Sequence, residues 1–471
     1  MSAEAPRHAA IDLGASGGRV ALGGVAEGRL DFEVLHRFPN RPVPVGRHLY
    51  WNVLELWREI LAGLKLASAR GRIASIGVTT WGVDYALLDD DTLPIDLVHS
   101  YRDRRTDGML EEIERVMPRA EIYRHTGVQF LTINTLPQLV AAGRKAPGLF
   151  GRAAHFLMLP DLIHYWLCGR MAGEHSNAST TQLYDPRVRA WSAAILDAFG
   201  IPVRIMPELV EAGTVLGEVL PEVAGEAGLE GALVVAPATH DTASAIAAVP
   251  AEDEGGWAYV SSGTWALAGV EVAEPVITKA ACAENFTNEQ GVGGTTRFLK
   301  NSAGLFVLQE CCRAWGEPDF AALLAAAGAA PERPAIDIND RLLASPGADM
   351  PERVRELCRR MTGSAPEGEA EITRLLLRSL AADTASIIGR VGALAGRIER
   401  VHVVGGGSRI DLLNQWLADT SGAEVVAGPV EATTSGNLLL QAAALGLIER
   451  RDFRAIIRNS VPLRSFRPSR G

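Results

Sequence analysis

The chain has 471 residues, 47% hydrophobic and 22% charged, with a formal net charge of −10. The length exceeds one ordinary core and points to two or three domains. The acidic balance argues against a nucleic-acid partner, and no apolar run approaches the roughly 20 residues that a membrane helix needs.

The N-terminus "MSAEAPRHAA" lacks the basic and apolar regions of a signal peptide, so a cytoplasmic protein is expected. The cysteines, Cys168, Cys282, Cys311, Cys312 and Cys358, are odd in number and form no CxxC, so a disulfide framework or cysteine zinc site is not expected. The lysines are Lys65, Lys145, Lys279 and Lys300, and none closes a GxxxxGK loop, which sets a P-loop NTPase aside.

In chain order, "HAAIDLG", "GRVALGGV" and "LDFEVLHRF" read as three strands joined by glycine-containing turns. A helix follows, with Leu54, Trp57, Ile60, Leu61 and Leu64 expected on its apolar face. "IASIGVTTWGVDYALLDDD" reads as strand, glycine turn, strand and acidic turn, and "LPDLIHYWLCGR" as a helix ending at Gly169. "ALVVAPATHDTASAI" is an apolar strand running into a small-residue helix, with Asp241 at the junction.

Residues 255–272, "GGWAYVSSGTWALAGVEV", repeat the layout of residues 7–25, which suggests two related lobes. A helix is expected from Asn301 to Trp315, then an alanine-rich stretch broken by prolines, then a long helix over 370–395. "VHVVGGGSR" is a buried strand entering three glycines before a helix with Ile410, Leu413 and Leu417 as its apolar face.

A hairpin tip of Gly, Ser and Thr turns backbone N–H groups and small hydroxyls toward one point, which makes an anion nest. One such tip is an ordinary turn. Two of them, one per lobe, could clamp a polyphosphate across a cleft. Asp12, ending the first strand, then either holds Mg²⁺ beside the phosphates or caps its own turn. Asp241 either takes the proton of an attacking hydroxyl, or it or Thr239 caps the following helix. The residues alone leave both pairs of readings open.

Taken together, "DLGASGGR", "TTWGVD", "YRDRRT", "NASTTQL", "THDTAS", "SSGTWAL", "NFTNEQG", "FLKNSAGLFVLQ", "VVGGGSR" and "GPVEATTSGN" resemble the FGGY family of carbohydrate kinases over residues 8–467, nearly the whole chain. The resemblance implies an α/β fold of two ribonuclease-H-like (actin/hexokinase-type) lobes around a central ATP/sugar cleft. A sugar-binding lobe is expected over 1–245 and a nucleotide-binding lobe over 246–471. It implies ATP-dependent phosphorylation of a small-molecule ketose with Mg²⁺, L-rhamnulose in the first place. L-Fuculose, L-ribulose, D-xylulose and a catalytically silent sugar sensor are the alternatives.

Residue by residue, the resemblance places Ala15, Ser16, Gly17, Gly18, Arg19 and Thr264 on the ATP phosphates. Gln309 and Gly405, Gly406 and Gly407 would flank the nucleotide, and Asp12 would face the metal. Gly82, His240, Thr242 and Asn301 would meet the sugar, Trp81 would line its pocket, and Asp241 would accept the proton. Two positions depart from the family pattern: Gly17 stands for a serine, and Thr239 stands for the serine before His240.

Overall fold

The computed structural model describes residues 6–252 and 256–469. Met1–Ala5 of the N-terminal stretch, and Gly255 at the head of the second strand–turn–strand segment, lie outside them. The chain divides into two compact units.

In the first unit, the expected strands are Arg7–Gly14, Gly17–Ala26 and Arg29–Pro39, paired antiparallel with Asp12 opposite Arg19. Ala9, Ala10, Ile11 and Leu13 are fully buried, so the first strand is covered on both faces. Only glycine fits at position 18, where an added Cβ would lie 2.3 Å from the Phe38 ring. Strand Ile73–Thr80 lies parallel to the first, and Leu233–Ala236 lies parallel to that. Thr214–Glu218 closes that edge antiparallel, in the order 214–218, 233–236, 73–80, 7–14, 17–26, 29–39.

Helix Val53–Ser68 begins at Asn52, whose side chain accepts from Glu55 N. Its buried face is Val53, Leu56, Ile60, Leu61, Gly63, Leu64 and Ala67. Leu54 is 74% exposed, so the expected face is corrected by a rotation toward Val53 and Leu56. The cause is the sheet, which presents Val20 to Gly63, where a Cβ would come within 2.5 Å. Helix Leu159–Cys168 ends, as expected, at Gly169 in the left-handed conformation.

The first unit comprises Met1–Pro250, Glu271–Phe298 and Ala432–Ser460, and the second Ala251–Val270, Leu299–Glu431 and Val461–Gly471. As compact units go, the chain thus returns twice to the first, at 271–298 and at 432–460. Helix Ala432–Ala444 explains the second return. A Cβ on Gly436 would fall 1.8 Å from Ser244 O, in helix Asp241–Ala247, so the two helices meet backbone to backbone. On its other flank, Asn437 donates to Ile11 O and Gly77 O, and Gln441 donates to Ala9 O. Ser75 Oγ donates to Gln441 and accepts from His8 Nδ1 at 2.8 Å. This polar seam has no counterpart in local sequence pattern.

The second unit repeats the strand order of the first: 296–303, 265–272, 257–262, 400–404, 424–427 and Arg464–Phe466 stand in the places of 29–39, 17–26, 7–14, 73–80, 233–236 and the antiparallel edge 214–218. Its first hairpin is antiparallel, and Trp257–Ser262, Arg400–Val404 and Glu424–Ala427 are mutually parallel neighbours. Helix Glu369–Ala395 matches the expected long helix. The expected helix from Asn301 is corrected: Asn301 lies in strand Thr296–Ala303, and the helix is Phe306–Ala314. Gly304 separates them, because a Cβ there would sit 2.4 Å from the Trp265 backbone. The five cysteines are free thiols, and among the described residues no helix is long and apolar enough to cross a membrane.

Gly436→Ala should destabilise the protein by about 1–3 kcal/mol through overpacking, read from the denaturant midpoint. A second expectation concerns pH. Burial lowers the pKa of His8 to about 4, so the folded state keeps it neutral while the unfolded state takes a proton below about 6.5. Stability from this group is present above pH 6.5 and is lost as pH falls toward 4, by about 3 kcal/mol in all. His8→Gln should flatten the slope of unfolding free energy against pH in that window, whatever its offset.

Candidate active site

The segment Thr239–Thr242 is held from three sides in the first unit. Thr80 N donates to Thr239 O at 2.9 Å, stitching the segment to the end of strand 73–80, just before Trp81 and Gly82. Glu174, buried at 1% exposure, accepts from Thr239 N at 2.8 Å and from the Thr239 hydroxyl at 3.1 Å. Ser176 Oγ donates to the same carboxylate and accepts from His240 N at 3.1 Å. Burial pushes the Glu174 carboxyl up, and these donors oppose it. Asp161 beside it is pushed well above the carboxylate range by burial and by the Glu174 charge.

The head of the following helix is capped by neither Thr239 nor His240, while Asp241 Oδ1 takes one of its first N–H groups. His240 occupies the N-cap of helix Asp241–Ala247 and makes no side-chain cap bond, and the Thr239 hydroxyl serves Glu174 instead. Threonine at 239 thus keeps the donor that a serine would supply. Asp241 Oδ1 accepts from Thr242 N at 2.6 Å, and the side chain remains 29% accessible. Its carboxyl is shifted upward by desolvation, partly offset by His240, Thr242 and Arg297. Thr433 Oγ1 donates to Asp241 O at 3.2 Å, and Thr434 Oγ1 donates to Asp12 Oδ2 at 3.4 Å. The head of helix 432–444 therefore touches both of the carboxylate-bearing segments that the sequence singles out.

Behind His240 is a closed cluster of charges. Arg297, with no exposed side-chain surface, places Nη2 3.0 Å from Glu289 Oε2 and 3.1 Å from His240 Nδ1. Arg297 Nε donates to Gln290 O at 3.1 Å. His240 Nδ1 is also 3.2 Å from Glu289 Oε2, and its Nε2 is 3.5 Å from Asp241 Oδ1.

At the first hairpin, Ala15 and Gly17 are half-buried, Ser16 is exposed and Gly18 is buried. Asn40 fixes the tip from behind, donating to Gly14 O and Ser16 O. A Cβ at position 17 would lie 3.1 Å from Phe38 O, a tight fit that glycine avoids. Asp12 Oδ2 lies 3.5 Å from Arg19 Nε. Asp12 is buried and offers a hard oxygen donor, the kind Mg²⁺ takes alongside phosphate oxygens, so it fits that ion.

Trp81 is buried to 6% exposure, packed on Trp51, with its indole N–H donating to Asp84. Its fit to a pocket is thus mostly indirect, through the rigidity it gives Gly82. Asp84 also accepts from Trp51, Gln138 and Tyr101 N; burial pushes its carboxyl up to about 6 against those four donors. Val83 takes φ +69°, rare for a β-branched residue, and its carbonyl is held by Thr135 and Gln138. Gly82 lies where a Cβ would meet Thr180 Oγ1 at 2.9 Å. Tyr85 stacks on Phe156 and is core.

In the second unit, the hairpin tip carries Gly263 and Thr264, both half-buried, whose carbonyls accept from Leu305 N and Phe306 N. Gln309 is half-buried on the helix that starts there, and Asn301 is half-buried on the strand before it. Gly405 has φ +83°, Gly406 is exposed and Gly407 is buried. A Cβ on Gly407 would strike Ser262 Oγ at 2.0 Å, so this glycine serves the packing of the turn onto the hairpin strand. Ser262, Gly304, Leu305, Thr384, Val403 and Asn414 are among the residues lining a pocket in this unit.

Glu174 and Arg297 lie outside the quoted motifs, and Asp84 and Glu289 lie inside two of them without a role assigned from sequence. They are charged residues inside short buried segments; the tertiary fold brings Glu174, Glu289 and Arg297 to the segment around Asp241 and Asp84 to the turn at Gly82. A charged residue within an apolar or fully polar strand is the one clue available to sequence.

Residues 9–248 match the N-terminal domain of the FGGY family of carbohydrate kinases, and residues 258–445 match its C-terminal domain. The chain is similar to the rhamnulokinase of Bacteroides thetaiotaomicron, 42% identical over 98% of this chain and 95% of that protein. It is also similar to the rhamnulokinase of Bacillus subtilis, 37% identical over 98% of this chain and 95% of the other. Among solved structures, the fold is similar to the ligand-bound xylulose kinase of Lactobacillus acidophilus, with a TM-score of 0.80 at 14% identity over 98% of this chain and 94% of that one. Plasmodium falciparum glycerol kinase with ADP gives 0.78 at 13% identity, again over 98% and 94%.

The Glu174 anchor makes a checkable distinction. Thr239→Ser keeps the hydroxyl donor and should leave stability within about 0.5 kcal/mol. Thr239→Val leaves a buried carboxylate short of a partner and should cost about 1–3 kcal/mol in the same unfolding measurement.

Proposed function

The chain belongs to the FGGY family of carbohydrate kinases, and from that premise we propose that it transfers the γ-phosphoryl group of ATP to the C1 hydroxyl of L-rhamnulose. The observation that carries the choice of sugar is the near-full-length identity, 42% and 37%, to two rhamnulokinases. The 13–14% identities of the structural neighbours bear on the fold alone.

In this reading, Asp241 orients the attacking hydroxyl and takes its proton as the new P–O bond forms and the bond to ADP breaks. Its upward-shifted carboxyl suits a base that must be ionised yet hold a proton in transit. His240 and Thr242 hydrogen-bond the ketose, and Gly82, on its strained and clamped turn, offers backbone to the sugar. Asn301 is assigned to the substrate as well.

The backbone of Ala15–Gly18, with Ser16 and Arg19, receives phosphate oxygens, as does Thr264. Gln309 and the turn Gly405–Gly407 flank the nucleotide. Asp12 would hold Mg²⁺, which when bound neutralises phosphate charge. Arg19, 3.5 Å from Asp12 in this structure, would face the phosphates beside it. Gly17 costs one hydroxyl donor and keeps its N–H.

ADP release should be measured against L-rhamnulose, L-fuculose, L-ribulose, D-xylulose, glycerol and a blank without sugar. L-Rhamnulose should lead in kcat/KM. If another ketose leads, the choice of sugar fails and the chemistry stands; if every sugar equals the blank, the kinase reading fails. Asp241→Asn should lower kcat by about 10²–10⁴ while ATP binding, followed by calorimetry, is kept. Wild-type activity should fall with decreasing pH at a pH above the ordinary carboxylate range, because protonated Asp241 cannot accept.

A further inference from the structure

The cluster behind His240 sets which proton this ring carries. A guanidinium has only N–H donors and does not lose its charge in a protein. Arg297 Nη2, 3.1 Å from His240 Nδ1, can therefore bond that nitrogen only if Nδ1 offers a lone pair. A neutral imidazole with its lone pair on Nδ1 carries its hydrogen on Nε2. That nitrogen is 3.5 Å from Asp241 Oδ1.

The competing state puts the hydrogen on Nδ1, aimed at Glu289 Oε2 3.2 Å away. That carboxylate is already engaged by Arg297 at 3.0 Å. An Nδ1–H would meet the Arg297 N–H head-on. A fully charged imidazolium would put two cations against Glu289 in a core where Arg297 is 0% and Glu289 4% exposed. The groups facing His240 are thus Arg297 and Glu289 from the strands behind it and Asp241 from its own helix; the Ser176 hydroxyl meets only its backbone N–H.

We infer that Arg297, with Glu289 as its counter-ion, is a positioning residue that holds His240 neutral, with its Nδ1 lone pair engaged and its Nε2–H turned to the Asp241 side. This rests on the reading of Asp241 as the base. The lock matters to that reading in two ways. It leaves His240 able to donate, from Nε2, to a ketose oxygen or to the Asp241 carboxylate. It also keeps a second positive charge off the ring, where it would pull the base down and slow proton acceptance.

Arg297 without Glu289 would be a bare buried cation. Glu289 without Arg297 would draw a proton onto Nδ1 and make the imidazolium that the pair prevents. The two therefore act as one unit, on a ring that either alone would misplace.

The test is ¹⁵N NMR of the full-length protein labelled at histidine, with His240 assigned by its loss in His240→Gln. In the wild type at neutral pH, His240 should show unprotonated Nδ1 and protonated Nε2. In Arg297→Met, Nδ1 should become protonated. With L-rhamnulose as acceptor, kcat should fall about ten- to a hundredfold, and the KM for ATP should hold. Arg297→Lys, which still donates to Nδ1, should restore the wild-type ring signature and much of the turnover.

If Arg297→Met does not fold, Arg297→Met/Glu289→Leu removes both charges together. His240 should then lose its preference for carrying the hydrogen on Nε2. The inference is overturned if wild-type His240 carries its hydrogen on Nδ1, or is charged at pH 7. It is also overturned if the ring signature survives loss of Arg297. These signatures are read without sugar or ATP, so a wild type that phosphorylates no ketose overturns the proposed function and leaves the ring assignment to stand or fall separately.

Discussion

The first unit depends on one close contact, the backbone of helix 432–444 against the backbone of helix 241–247 at Gly436 and Ser244. Close packing of this kind leaves no slack for adjustment. Because Asn437 and Gln441 on the same helix bond strand carbonyls at Ile11, Gly77 and Ala9, the contact fixes helix 241–247 relative to the central strands. Thr433 and Thr434 extend that reference to Asp241 and Asp12. The two carboxylates on which the proposed chemistry turns are thus positioned by a helix more than 180 residues away from either in sequence.

Around Asp241 the protein buries an unusual amount of charge. Glu174 and Asp161 lie on one side, and Glu289 and Arg297 lie on another. Burying such groups costs free energy unless they are bonded or neutralised. Glu174 is repaid by four donors from Ser176 and Thr239, and burial with the Glu174 charge pushes the Asp161 carboxyl well above the carboxylate range. What the arrangement provides is a segment, Thr239–Thr242, whose backbone and ring orientation leave few alternatives. Asp84 does the same for the turn at Gly82, where four donors converge on one carboxylate and Val83 is held in a strained conformation. Sites held by networks of this type are preorganised rather than assembled on binding.

Much of this was legible in the sequence, and the reason is local. Strand patterns, glycine turns and the helix end at Gly169 follow from the residues themselves, as does the repeat of the strand–turn–strand unit. The face of helix 53–68 was misread because a neighbouring strand, not the helix alone, decides which stripe is covered. Asn301 was read as helical because an apolar run of that length is ambiguous; the glycine at 304 decides the break only when Trp265 is in place. The motif residues at the site were visible as a set, through the resemblance. Of their supports, Asp84 and Glu289 sit inside quoted motifs but without a visible role, and Glu174 and Arg297 lie outside them, since these residues work mainly through contacts at long sequence separation.

The discontinuity of the units bears on how the protein comes off the ribosome. Neither unit is complete until residues 432–471 have been synthesised, because 432–460 belong to the first and 461–471 to the second. The first 250 residues emerge carrying their sheet with the place of helix 432–444 unfilled, leaving Gly77 and the Ala9 carbonyl without Asn437 and Gln441. During translation at roughly 5–20 residues per second, that seam stays uncovered for roughly 10–40 seconds. The nascent chain therefore presents an apolar and hydrogen-bond-hungry surface to chaperones for the whole time that the second unit is being made, and a message truncated shortly before codon 432 yields a chain whose sheet can never be closed.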